Sequence, residues 1–297
     1  MTPELRQLRY FLTVAEELHF GRAADRLHMT QPPLSQSIAN LEELLGAPLF
    51  LRNRRQVALT PAGTALLPEA RRILDDAARL PELVRRVAGG EAGRLTLAFV
   101  STADYSVLPA ILQRYRAAFP GVALVLREAT SDVQADELLH DRIDAGFVIP
   151  PLPGKMDAAI DYLKLLEEPL ILCAPAGLPA LQAKGPVRLR DLPPLPLVIF
   201  PRAVAPGLHD AILGCFHAAG ITPVIGQEAI QMQTIVSLVS GGMGLALVPQ
   251  SVSNLMRAGV EYRALVDPTP LAELGLAWRR DNPSPVLQGF LDLIRKN

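Results

Sequence analysis

The sequence is short of several things, and each shortage excludes something. Only two of its 297 residues are cysteine, Cys173 and Cys215. They stand far apart and match no metal-ligand spacing, so they are read as buried structural thiols, with redox sensing as the alternative. No uninterrupted apolar run approaches membrane-spanning length. The opening MTPELRQLRY has no basic-then-apolar leader, so a cytoplasmic location without membrane contact is expected. Neither sign of charge is in excess: 29 Lys and Arg face 30 Asp and Glu, which rules out a general polyanion binder. There is no nucleophile elbow, no phosphate-binding Gly–Lys–Ser loop and no dinucleotide glycine fingerprint. The glycines of Ser240-Gly241-Gly242-Met243-Gly244 sit between a helical and a strand-like stretch and read as a cap and turn. His140, His209 and His217 have no metal-like companions. No metal, cofactor or catalysis is expected.

What is present is concentrated first at residues 20–45, FGRAADRLHMTQPPLSQSIANLEELL. Ala23, Ala24 and Leu27 hold a short helix on a core. After a break at His28-Met29, Thr30 is placed to cap a second helix, with Pro32 and Pro33 in its first turn, where a missing N–H costs little. Leu34, Ile38, Leu41 and Leu45 recur at i, i+4, i+7 and i+11 and form an inward stripe. Pro32, Gln36, Ala39 and Asn40 fall on the opposite face, with Gln31 and Ser35 at its edge. Small and amide side chains suit base edges in a major groove, and Gln can pair bidentately with adenine. These residues alone also fit an ordinary αα-hairpin. Gly46-Ala47-Pro48 then ends the helix, Leu49-Phe50 returns to the core, and Arg52, Arg54 and Arg55 precede the strand-like Val57-Ala58-Leu59. That pattern is a wing whose guanidinium groups reach phosphates or a minor groove.

From about Leu5 to Gly63 this segment resembles the winged helix–turn–helix of the LysR-type transcriptional regulators. The likeness is carried by Phe20, Ala23-Ala24, Leu27, Gln31-Pro32-Pro33-Leu34-Ser35, Leu41-Glu42, Leu45-Gly46 and Leu59-Thr60-Pro61-Ala62-Gly63. The resemblance implies double-stranded operator DNA as partner, read by Thr30, Gln31, Pro32, Pro33, Ser35 and Gln36, with Arg52 and Arg54 on the wing. Many members carry Arg where this chain has Gln36, and an acidic residue where it has Leu51, which sets its operator preference apart.

Within the first sixty residues the arginines are almost balanced by acids, and every positive charge before Lys155 is arginine. Non-specific affinity per protomer is then modest, and useful binding calls for a dimer. The next element supplies one. Thr60 is an N-cap with Pro61 at the first helical position, and the helix runs to about Ala88 before Gly89-Gly90. Leu66, Leu67, Ala70, Ile73, Leu74, Ala77, Leu80, Val84 and Val87 make an apolar stripe that wants a partner helix. Its length of roughly 40 Å suits two reading heads about one DNA turn apart. Pro81 is expected to kink it or to mark where it leaves its partner. Packing on the chain's own C-terminal part is the other reading.

Beyond Gly89-Gly90-Glu91-Ala92-Gly93 the period changes. Leu95–Val100, Val122–Glu128 and Ala145–Ile149 read as buried strands, with helical stretches at Val107–Phe119 and Val133–Asp141 between them. A second unit follows: strands at Pro169–Ala174, Pro196–Phe200, Val224–Glu228 and Gly244–Val248, and helices near Gly207–Ala219 and Met232–Ser240. The end reads as strand Leu274–Trp278 and helix Pro285–Ile294. Alternating strand and helix implies a doubly wound α/β sheet in two lobes, with a ligand between them at strand C-terminal ends. The fold class is thus a winged helix–turn–helix (1–60), a linker helix and hinge (61–92) and a bilobal α/β effector domain (93–297). The resemblance adds a likeness to type 2 periplasmic binding proteins, with lobe I at 93–166 and 268–297 and lobe II at 167–267.

Ser101 and Thr102 follow the first of these strands, and Thr130 and Ser131 the second, each pair just before a helix. Hydroxyls beside free helix N–H groups suit a carboxylate, although each pair could merely cap its helix. Arg202 ends a strand in the second lobe and could meet a second carboxylate, and Val148 with Ile149 would give an apolar wall. Asp104 opposes an anion unless it points away. AFVSTADYSVLP, RIDAGF and SGGMGLALVP resemble the regulators of aromatic-acid catabolism that respond to muconate or benzoate. That likeness implies a small organic acid as effector, a homodimer that further assembles to a tetramer, and contact with RNA polymerase. A constitutive DNA binder with an assembly-only C-terminal domain is the alternative, and a bilobal enzyme is a third.

Overall fold

The computed structural model describes residues 2–52, 57–152 and 159–296. The chain divides into two compact units, Met1–Arg85 and Arg86–Asn297. The first opens with α1 (Leu5–Glu17), α2 (Phe20–Arg26) and α3 (Gln31–Leu45). Local chemistry starts each of them. Glu4 and Gln7 form a capping box on α1, and the Nδ1 atom of His19 accepts from the N–H groups of Gly21 and Arg22 at the start of α2. Thr30 holds the extended N-cap backbone of α3 but makes no side-chain capping bond, and Gly46 ends the helix with φ +71°. Phe11, Ala23, Leu34, Ile38 and Leu41 are wholly buried, and Phe50 lies between Phe11 and Phe20. Leu45 departs from the expected stripe. It is 40% exposed because α3 outruns the core by one turn, and Leu49 fills the place instead.

The wing is β1 (Phe50–Arg52) paired antiparallel with β2 (Val57–Leu59). Its base is tied at two points. The carboxylate of Glu42 accepts from the N–H groups of Leu49 (2.8 Å) and Phe50 (3.2 Å). The Thr60 hydroxyl donates to the Pro48 carbonyl and accepts from the Gly63 N–H, capping α4 (Pro61–Ala88) as expected. This helix runs 28 residues through Pro68 and Pro81. Ala70, Leu66, Leu67 and Leu74 pack on the core of the first unit, whereas Leu80, Leu83, Val84 and Val87 are 49–65% exposed.

The second unit runs β3 (Ala92–Phe99), α5 (Ser101–Asp104), α6 (Leu108–Ala118), β4 (Gly121–Glu128), α7 (Ser131–Leu139), β5 (Ala145–Val148) and β6 (Ile160–Pro175). Then come β7 (Leu197–Ile199), α8 (Pro206–Ala218), β8 (Ile225–Glu228), α9 (Met232–Ser240), β9 (Ala246–Pro249), β10 (Val260–Arg263), β11 (Leu271–Arg279) and α10 (Pro285–Arg295). β3 pairs in parallel with β4 and β5, as strand–helix alternation requires, and β7 with β8. The rest of the sheet is antiparallel. β11 lies between β5 and β6, and β6 also pairs with β9 and β10.

The 16-residue β6 organises two lobes. It pairs with β11 as far as Pro169 and with β9 and β10 from Leu170, so the chain passes from one lobe into the other along a single strand. Leu97, Phe147, Leu276 and Phe290 belong to the core of one lobe, and Leu172, Val198, Ile235 and Val248 to that of the other.

Candidate DNA-reading face and interlobe cavity

On α3, the inward positions 34, 38 and 41 leave Gln31, Pro32, Pro33 and Gln36 exposed, together with Thr30 at the cap, and Ser35 half-buried. The surface that results is built of small, proline and amide side chains, and the Gln36 amide donates to the Asn40 Oδ1 atom at 2.8 Å, one turn on. That bond orients an amide whose other atoms can pair with a base edge. The nearby cations are partly neutralised within the head. Arg26 bridges Glu16 (3.0 Å) and Glu17 (3.1 Å), which raise its pKa, Glu17 most, and Arg71 reaches Glu16 at 3.1 Å. Arg54, the Arg55 beside it and the side chain of Arg52 lie outside the described residues; the Arg52 backbone pairs with Val57.

In the second unit a cavity of about 30 Å³ opens between the lobes. One lobe contributes Ser101, Thr102, Thr130 and Ser131 from the ends of β3 and β4 and the starts of α5 and α7. The other contributes Phe200, Val204, Ala205, Leu208 and Met232 as an apolar wall, with Gln231 at the start of α9. All four hydroxyl residues expected at the site are brought together. Two of them accept a backbone N–H, and a third is unpartnered. The Ser131 Oγ accepts from the Ile149 N–H at 3.0 Å, which leaves its own hydrogen to donate. The Ser101 Oγ accepts from the Met232 N–H at 3.4 Å, a bond that spans the lobes. Thr102 is 4% exposed, and its Oγ1 has no hydrogen-bond partner. A buried hydroxyl left in that state costs free energy unless something enters the cavity to pair with it.

Two expected site residues are placed elsewhere. Val148 is the last residue of β5, and strand alternation turns it away from the cavity into a small cluster with Ala98, Leu138, Ile143 and Ile160; Ile149 takes the cavity side. Arg202 does not line the cavity. Its guanidinium forks onto Asp210 (Nε to Oδ1 2.8 Å, Nη2 to Oδ2 2.7 Å), and these hydrogen bonds hold the Asp210 carboxyl down to about 2. Asp104 is exposed, does not line the cavity, and stands beside Glu128, whose pKa is raised first by desolvation and then by Asp104. Both thiols are buried, and burial pushes Cys173 up to about 12 and Cys215 upward. Among the described residues no group of His, Cys, Asp and Glu could hold a metal, and no helix is long and apolar enough to cross a membrane.

The sequence reading missed the lobe II wall. Phe200, Leu208 and Met232 read as ordinary core, and Gln231 gave no signal beyond preceding a helix.

Comparison with known proteins fits this geometry. Residues 5–64 match the model of the bacterial regulatory helix-turn-helix protein of the lysR family, and residues 88–297 match the LysR substrate binding domain. The HTH-type transcriptional regulator IlvR of Caulobacter vibrioides is 52% identical over 294 residues, 99% of this chain and 98% of that protein. AlsR of Bacillus subtilis is 40% identical over 290 residues, 98% of this chain and 95% of its own. The crystal structure of full-length CbnR complexed with its target DNA superposes with a TM-score of 0.82 at 31% identity, covering 99% of each chain. With both parts of the family matched along nearly the whole chain, this protein belongs to the LysR family, as a DNA-binding transcriptional regulator with an effector-binding domain.

Proposed function

We propose that this regulator occupies its operator as a dimer held through α4 and responds to a small carboxylate bound between the lobes of its second unit. The observation that carries the reading is the buried, unpartnered Thr102 hydroxyl, facing a cavity ringed by three further hydroxyl residues and the N-termini of α7 and α9. The first N–H groups of α7 favour negative charge, whereas the Met232 N–H that opens α9 already donates to Ser101. The domains are assigned as 1–60 for the head, 61–92 for the linker and 93–297 for the effector domain. Lobe I is 93–166 with 268–297, and lobe II is 167–267. Effector that binds the closed lobes more tightly than the open ones shifts the placement of two heads on DNA, altering its bending and contact with RNA polymerase. Further pairing of effector domains into a tetramer gives the assembly, and the cytoplasm is its compartment. The role is regulatory and not enzymatic, like that of the relatives it matches.

The test is a screen of small acids, neutral compounds and amino acids for thermal stabilisation of the full-length protein, since native-state occupancy raises the melting point. Compounds that stabilise should lose their effect when Thr102→Ala and Ser131→Ala are combined. A stabilisation that survives this double exchange moves the effector elsewhere.

DNA reading divides between specificity and clamping. Gln36→Ala should cost about 1–3 kcal/mol on the preferred operator and relax choice at one base position. Arg52→Ala should weaken all sequences alike and flatten the salt dependence by about one phosphate. Binding-site selection on randomised operators measures the first, and titrations at several salt concentrations the second. An unchanged base preference would remove Gln36 from the readout.

A further inference from the structure

We infer that the interlobe cavity is built for a monocarboxylate with a compact apolar tail and no second charge, selecting against dicarboxylates and amino acids. This rests on the reading of the cavity as the effector site and adds to it the class of ligand.

The cavity has two chemically distinct ends. At one of them Thr130 and Ser131 stand at the start of α7, a helix of nine residues, and Thr102 lines the cavity from α5. There a carboxylate finds the hydrogen left on Ser131, the unpartnered hydroxyl of the 4%-exposed Thr102 and the first N–H groups of the helix. The other end is the lobe II wall of Phe200, Val204, Leu208 and Met232, all apolar, with the uncharged Gln231 amide at the start of α9 as the polar side chain that lobe II contributes. Among the described residues no Lys, Arg, His, Asp or Glu lines the cavity. Charges close by in sequence do not line it: Glu128 and Asp132, which flank residues 129–131, are exposed. Arg202 is forked onto Asp210, and Asp104 is exposed beside Glu128.

At that end a second carboxylate would therefore meet no cation, and the ammonium of an amino acid no anion, with only the neutral Gln231 amide at hand. Burying an unpaired charge is strongly unfavourable. A branched or cyclic hydrocarbon group meets no such penalty and gains by leaving water. The enclosed space is only about 30 Å³, which keeps the tail compact.

Four probes that differ by one group at a time test this by calorimetry on the full-length protein: isovalerate, its neutral amide isovaleramide, methylsuccinate (a second carboxylate in place of a methyl) and valine (an added ammonium). Benzoate with benzamide makes a second, bulkier pair. At least one monocarboxylate is expected to bind about tenfold or more tightly than its amide, diacid and amino acid counterparts. Thr102→Val should remove that binding, and Thr102→Ser, which keeps the hydroxyl, should retain it. A diacid or amino acid binding more tightly, and still depending on the Thr102 hydroxyl, overturns the charge class while leaving the cavity as the effector site. Silence from every monocarboxylate also overturns the class. The site itself falls only if ligands found in the wider thermal screen are indifferent to the Thr102→Ala, Ser131→Ala double exchange.

Discussion

Exchange of Leu80, Val84 and Val87 for glutamate should turn the protein into a monomer and lower its operator affinity by about a thousandfold or more, toward its non-specific level. These side chains are 49–65% exposed within one protomer, on a helix whose earlier apolar positions Leu66, Leu67, Ala70 and Leu74 are taken up by the head's own core. An apolar stripe that continues for two more turns after its own core has ended is covered in the working assembly by another surface. A second copy of the same helix presents the same stripe, and closed two-fold pairing is the common solution. The affinity loss is large because the head carries little surplus positive charge. Arg26 and Arg71 are tied to Glu16, and Arg26 also to Glu17, so one head on one half-site has few phosphates to hold. Sedimentation and operator titration on the triple variant measure both quantities. A variant that stays dimeric and binds normally would assign the stripe to another partner. Because the substituted residues are exposed in the protomer, the melting of the head should hardly change, which separates loss of assembly from loss of fold.

The parts of this molecule that the sequence discloses are those where one period runs unbroken. In α3 the spacing of Leu34, Ile38 and Leu41 identifies both the helix and the face it leaves outside, and Met232–Ser240 is likewise legible to the residue. The first half of β6 is not, and the reason is physical. Leu274 pairs with Leu166 but Gly275 with Lys164, so Leu165 is an extra residue in the strand. At that bulge Leu163, Leu165 and Leu166 all pack against one core, and the alternation that would betray a strand is broken. β10 is four residues long, lies at the end of the sheet order and carries Glu261 and Arg263. Charges of that kind protect an edge and remove the apolar signal of a strand.

The cavity shows the same division. Its hydroxyl residues are legible because Ser-Thr and Thr-Ser sit at strand-to-helix turns, where function and geometry coincide. Its apolar wall is not, since a Phe or Leu beside a ligand has the same chemistry as one in a core. Val148 illustrates the limit: choosing between it and Ile149 needs the phase of a short strand, which one residue of slip inverts. Arg202 illustrates another. Its partner Asp210 lies eight residues on, beyond the start of α8, and nothing local announces that the two will meet.

Gly63→Ala should destabilise the head by about 1–3 kcal/mol, the usual cost of forcing extra atoms into a packed site. Gly63 lies in the first turn of α4, where glycine is otherwise a poor choice and alanine a good one, so helix propensity by itself predicts the opposite sign. Packing decides. A Cβ on this residue would stand 2.2 Å from the carbonyl oxygen of Leu49 and 2.8 Å from a methyl of Leu59. The leucine methyl could swing aside. The carbonyl cannot, because its residue is fixed from both sides: the Leu49 N–H donates to Glu42, and the Leu49 carbonyl accepts from the Thr60 N–H at 2.9 Å. Relief must come from moving α4 away from the base of the wing, which breaks the Thr60 cap and tilts β1 and β2 against α3. For a unit of this size each kcal/mol lowers the melting point by about 4–8 °C. Operator affinity should fall further than stability accounts for, because the wing and α3 must hold their spacing to bind DNA together. Calorimetric melting of the variant with operator titration at low temperature tests both parts. A variant as stable as the parent would mean that the Leu49 carbonyl gives way, and that the wing is not clamped by the start of α4.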